Sequence, residues 1–172
     1  MRHPEFKKLS AKREWIRLGI KLAVLLLIFW ILLGVLFGIR RIEGVGMSPR
    51  VSDGDLSLFF RTSDGLEVGD VVLFSKDGKD YVSRIAAVEN DLITLSEDGH
   101  LSINGEEYSD TLAYDLERGD EVKISYPQRV EKGKYFVIND NLDSSNDSRE
   151  FGTIEKTNIY GKVISILRTR DI

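Results

Sequence analysis

Hydrophobic residues follow two regimes along this chain. Residues 22–39 form an unbroken run, LAVLLLIFWILLGVLFGI, with no charged residue and no polar stripe at the 3.6-residue period of an amphipathic helix. As a helix the run is roughly 27 Å long, close to the hydrocarbon thickness of a bilayer. It predicts one transmembrane helix over 22–39. Beyond residue 40 the apolar positions fall into short β-prone runs, at 42–47, 56–60, 71–74, 81–88, 92–95, 101–103, 122–126, 135–138 and 159–167. Turn chemistry separates them: Asp53-Gly54-Asp55, Asp64-Gly65, Asp77-Gly78, Asp98-Gly99 and Asn104-Gly105 all suit tight reversals. In Leu56-Ser57-Leu58-Phe59-Phe60, positions 56, 58 and 60 share one face and Phe59 the other, where it reads as core. The stretch 110–120, DTLAYDLERGD, reads as a helical or irregular surface excursion. The fold class expected is mainly β, an antiparallel sheet domain after one N-terminal helix.

Charge orients that helix. Residues 1–21 carry seven Lys/Arg against Glu5 and Glu14, a local +5, whereas only Arg40 and Arg41 follow the apolar run directly. Cytoplasmic flanks are the ones enriched in Lys and Arg, so 1–21 is expected in the cytoplasm and 40–172 outside, as a single-pass protein of the cell membrane. The run is longer than the apolar core of a cleaved signal, and the sequence after it, GIRRIEGVGM, continues with bulky and charged residues, which predicts a retained anchor. Subtracting the local +5 from the whole-chain −4 leaves −9 for the remainder. An acidic outer domain offers no phosphate-binding patch, so nucleic acid is not an expected partner. With no cysteine, disulfides and thiolate metal sites are excluded. No metal or cofactor site is expected.

Three segments carry candidate chemistry: Gly44-Val45-Gly46-Met47-Ser48-Pro49; then Gly69-Asp70-Val71-Val72-Leu73-Phe74 with Tyr81-Val82-Ser83-Arg84-Ile85; and Asn139-Asp140-Asn141 with Ser145, Asp147-Ser148-Arg149 and Phe151-Gly152. In this order behind an apolar anchor they resemble the signature boxes of bacterial type I signal peptidases, membrane-bound serine proteases of the S26 type. In that family a nucleophilic serine stands where this chain has Gly46, and a lysine general base where it has Ser83. The third box departs at Asn139, where the family has glycine. The resemblance implies that Ser145 matches a serine bonded to the catalytic lysine. It also implies that Asp147 and Arg149 match a buried ion pair which, with Asp140, supports the loop beside the second box.

The departures remove the chemistry. Gly46 has no side chain to attack with, and the Ser83 hydroxyl is too weak a base and too short to stand in for a desolvated amine. Ser48 lies roughly 6–7 Å along an extended chain from the vacated position and reads as a turn hydroxyl. Some relatives use histidine in place of the lysine, but His3 falls on the cytoplasmic side and His100 reads as a solvated turn residue. The expectation is therefore an inactive homologue, similar to the signal-peptidase-like proteins that act with sortase in pilus polymerisation in Gram-positive bacteria. It implies an accessory or chaperone role whose partners are the membrane and a protein, either a pilin or another exported surface protein. Two alternatives remain: an active signal peptidase with non-standard catalytic residues, and a regulator of a true signal peptidase. The family binds its substrate as an added strand, which predicts a partner groove bordered by Gly44, Val45, Gly46, Met47, Ser83, Arg84 and Ile85.

Overall fold

The computed structural model describes residues 4–42, 46, 47, 51, 53–109, 111, 113–115, 121–144 and 146–168, with side chains described from residue 13 onward. The chain divides into two compact units, Met1–Phe37 and Gly38–Ile172. The first is helix α1, Pro4–Leu36, whose segment Arg13–Leu36 is long and apolar enough to cross a membrane. The helix stops earlier than the apolar run suggested. Phe37–Arg41 instead forms strand β1, and a Cβ on Gly38 would fall 2.3 Å from Cζ of Phe59. Only a glycine allows the strand so close to that ring.

In the second unit β1 is followed by β2 (Leu56–Phe60), β3 (Val71–Lys76), β4 (Lys79–Ala87), β5 (Leu92–Leu95) and β6 (Leu101–Ile103). Then come β7 (Glu106–Glu107), β8 (Gln128–Arg129), β9 (Lys134–Ile138), a one-turn helix α2 (Ser148–Phe151), β10 (Ile154–Glu155) and β11 (Ile159–Leu167). A seven-stranded sheet has the order β1-β2-β11-β3-β4-β9-β10, and a four-stranded sheet the order β7-β6-β5-β8. The described registers are all antiparallel. The domain is mainly β, as the spacing of apolar runs predicts.

The large sheet is covered on both faces, as side-chain alternation requires. Val72 and Phe74 pack with Leu66, Ile85, Val137, Ile154 and Ile159, whereas Leu73 packs with Ile42, Met47, Val51, Phe59 and Val82. A third cluster joins Ala86, Phe136 and Ile138 to Ile93, Leu101 and Val130 around the small sheet.

Three expectations fail here. Residues 122–126 form no strand; the chain joins the ladder only at Gln128, opposite Ile93, because Pro127 has no amide hydrogen to contribute. Within 110–120, Ala113 and Tyr114 are buried in the third cluster rather than on a surface excursion; residues 110, 112 and 116–120 lie outside the described ones. In the expected strand 42–47, Ile42 follows β1, Gly46 and Met47 lie in a turn, and 43–45 are outside the described residues.

Candidate functional site

Gly46 and Met47 form a turn tied to the segment after β9. The Asn141 amide donates to the Gly46 carbonyl at 3.0 Å, the Val51 amide to the Met47 carbonyl at 2.9 Å, and the Asp140 amide lies 3.5 Å from Met47 Sδ. Met47 is buried in the core with Phe59 and Leu73. The antiparallel register of β4 and β9 sets Arg84 opposite Ile138, so the next step outward sets Ser83 opposite Asn139. Ser83 is fully buried, and its hydroxyl donates to Asn139 Oδ1 at 2.7 Å. Asn139, also buried, directs its amide nitrogen toward the carbonyl of Ser144 at 3.4 Å.

Three positions at which the chain departs from the signature boxes, Gly46, Ser83 and Asn139, thus meet in space. A Cβ built on Gly46 would lie 2.6 Å from Asn139 Nδ2, 2.7 Å from its Cγ and 2.8 Å from its Oδ1. Atoms at such distances overlap, so the carboxamide of Asn139 fills the space into which a side chain at position 46 would project. Comparing motifs position by position marks Asn139 as a departure. That it bridges the other two follows only from the β4–β9 register.

Behind Asn139 lies the buried ion pair. Asp147 accepts from the Asn139 amide at 2.9 Å and the Arg149 amide at 2.9 Å, the latter as the N-cap of α2. The Arg149 guanidinium reaches the Asp147 carboxylate at 2.8 Å and also donates to the carbonyls of Ala113 at 2.9 Å, Leu142 at 2.8 Å and Ser144. Asp147 is 0% and Arg149 3% exposed, so each charge relies wholly on these partners. Ser148 Oγ accepts from the Val137 amide at 2.9 Å, which holds α2 against β9. On the outer side Arg84 forks onto Asp140 at 2.8 and 2.7 Å and donates to the Gly69 carbonyl at 2.8 Å. The fork raises the Arg84 pKa above its ordinary value.

Tyrosines close the far side. Tyr114 donates to the Arg149 carbonyl at 2.9 Å, which spends its one proton, so Tyr126 is the donor in the 3.1 Å contact between their hydroxyls. Burial pushes the hydroxyls of Tyr108, Tyr114 and Tyr126 above the ordinary phenol range.

Of the other expected site residues, Ile85 is fully buried in the core, its amide bonded to Asp70 O and its carbonyl accepting from Gly69, so it forms no wall of an open groove. Its position on an inner strand, laddered on both sides, is the reason. Gly44, Val45, Ser48 and Ser145 lie outside the described residues, as does His3. His100 lies just before β6 of the small sheet rather than at this site, its Nδ1 2.5 Å from Glu107 Oε1, and is partly covered rather than a freely solvated turn residue. Among the described residues no cluster of three or more His, Cys, Asp or Glu could hold a metal.

A mainly β domain behind an apolar helix, with a turn, a strand and an ion-paired loop converging on one buried point, defines the frame of a signal-peptidase-type protein. The sequence profile of signal peptidase, peptidase S26, matches residues 13–167. The chain is 32% identical to signal peptidase IB of Staphylococcus aureus over 168 residues, covering 87% of this chain and 86% of that one. It is 30% identical to signal peptidase I P of Bacillus subtilis subsp. natto, covering 91% and 88%. A crystal structure of a signal peptidase I from Enterococcus faecalis aligns with 59% of this chain and 98% of that one, at 24% identity and a TM-score of 0.43. The chain belongs to the signal peptidase family, peptidase S26.

Proposed function

We propose that this protein is a catalytically inactive, membrane-anchored member of the family, acting as an accessory or chaperone in the assembly of exported surface proteins or pili together with sortase. One observation carries the reading: where the family has its nucleophile and base, Gly46 brings no side chain and the buried Ser83 hydroxyl is committed to Asn139. A carboxamide is neither nucleophile nor base at neutral pH. Losing a catalytic nucleophile or base lowers turnover by on the order of 10⁴ to 10⁶.

Recognition does not need the dyad. Within the described residues β9 covers β4 only from Arg84 to Ala87, while residues 79–82 are laddered to β3 alone. That edge suits an extended polypeptide joining by backbone hydrogen bonds, near Gly46 and Met47. Helix α1 supplies the anchor, and the basic residues before it favour an inward N-terminus, with the domain on the outer face where exported chains emerge. The pilin or other surface protein as partner, and the link to sortase, rest on the resemblance of the vacated boxes to pilus-assembly homologues.

Incubating the detergent-solubilised full chain with a preprotein is expected to give no cleavage. Cleavage that persists after contaminating peptidase has been excluded would overturn the reading. In a strain that builds pili, deletion of the gene is expected to reduce pilus polymers on a blot, and unchanged polymers would remove the pilus role.

A further inference from the structure

We infer that Asn139 is a plug: its carboxamide occupies the space between Gly46 and Ser83 where a nucleophile and its base would stand, so the three residues depend on one another. This deepens the reading of the site as vacated and rests on it. Three observations converge. A Cβ at position 46 would stand within 2.6–2.8 Å of three Asn139 side-chain atoms. The Ser83 hydroxyl has its partner in Asn139 Oδ1 at 2.7 Å. The Asn139 backbone amide donates to Asp147, and its side-chain nitrogen donates at 3.4 Å to the Ser144 carbonyl that also accepts from Arg149, so a swing of the carboxamide gives up its bonds to both Ser83 and the ion-paired loop.

The plug has a consequence for function. The vacated dyad is not an open pocket that a partner's side chain enters. Gly46 is partly exposed while Ser83 and Asn139 are buried, and the Asn139 carboxamide lies between the exposed turn and the buried hydroxyl. Whatever extended chain the domain holds, it lies over this point and not in it. Restoring the family residues at positions 46 and 83 alone would drive them into Asn139.

The chain has no cysteine, which permits a clean test of access. In the full chain in detergent, alkylation of the Ser83→Cys variant by iodoacetamide is expected to be slow. Adding Asn139→Gly should speed it on the order of 10-fold or more, because the thiol would no longer wait for local opening. A Ser83→Cys, Leu95→Ala chain controls for general loosening, since Leu95 packs at the small sheet, outside the cluster that holds Met47 and Val82, and leaves Asn139 in place. Equal rates with and without Asn139, or the same acceleration in the control, would overturn the plug.

A second measurement reads the mutual dependence. Gly46→Ala is expected to lower the midpoint of thermal unfolding, or to prevent folding, when Asn139 is present, and to have little effect when combined with Asn139→Gly. An equal loss in both backgrounds would refute the inference. Neither outcome bears on whether the wild-type chain cleaves a preprotein, so failure of the plug and failure of the inactive reading are distinguishable.

Discussion

Arg149→Met tests the ion pair behind the site most directly. The substitution keeps the volume and removes the charge and every guanidinium donor. It strands a fully buried carboxylate, which retains only the amides of Asn139 and residue 149, and it leaves the carbonyls of Ala113, Leu142 and Ser144 without the donor that now serves them. Breaking one half of a buried pair costs about 3–5 kcal/mol. Some of the stranded carbonyls will be reached by water, so their loss is contained within that figure rather than added to it. Against a total stability of roughly 5–15 kcal/mol this is a large fraction. For a domain of this size the midpoint should fall by about 10–20 °C.

The assay must follow the domain and not the helix. Both tryptophans, Trp15 and Trp30, lie in α1, whereas all six tyrosines lie from Tyr81 onward. Thermal unfolding of the full chain in detergent, followed by the near-ultraviolet circular dichroism of tyrosine, therefore reports on the β domain. Adding Asp147→Leu to Arg149→Met should recover part of the loss, because an apolar pair buries no charge, though the cap of α2 and the acceptor for the Asn139 amide stay missing. A loss below about 1 kcal/mol for Arg149→Met alone would refute the claim that this pair holds the loop.

Two further outcomes follow from the packing and the tyrosines. The neutral hydroxyls of Tyr108, Tyr114 and Tyr126 are favoured by burial, so their folded pKa values lie above the unfolded value of 10.0. Their contribution to stability is then fully present below about pH 10 and is lost as pH rises beyond it, since the unfolded chain releases protons that the fold retains. The unfolding midpoint should fall across that range, with tyrosinate absorbance from these three arriving only on unfolding; reversible titration of all six near pH 10 with the dichroism intact would contradict this. Gly38→Ala should cost about 1–3 kcal/mol by overpacking, because its Cβ would strike the Phe59 ring, itself 2% exposed, at 2.3 Å. Pairing it with Phe59→Leu should cost less than the sum of the two single changes, as measured by the same thermal assay; strict additivity would show that Gly38 and Phe59 do not share that space.

What the sequence determines by itself is what depends on neighbours along the chain. The charge-free run marks the helix, and alternation with turn residues marks strands at 56–60, 92–95, 101–103 and 159–167 with the same limits as in the fold. The motif comparison marks the residues of the site and the ion pair of Asp147 with Arg149. Tertiary structure decides what depends on residues far apart in the chain. Phe37–Arg41 leaves the apolar run for a strand because Gly38 meets Phe59, and residues 122–126, though β-prone, have no partner strand among the described residues. Tyr114 is buried because Arg149 offers its carbonyl there. Most of all, Asn139 reads in sequence as a lone departure from a box. Only the register that sets it opposite Ser83, and the turn that brings Gly46 against it, make one side chain fill the volume that two missing ones leave. Volume is shared among residues brought together by folding, and no pattern along a chain records it.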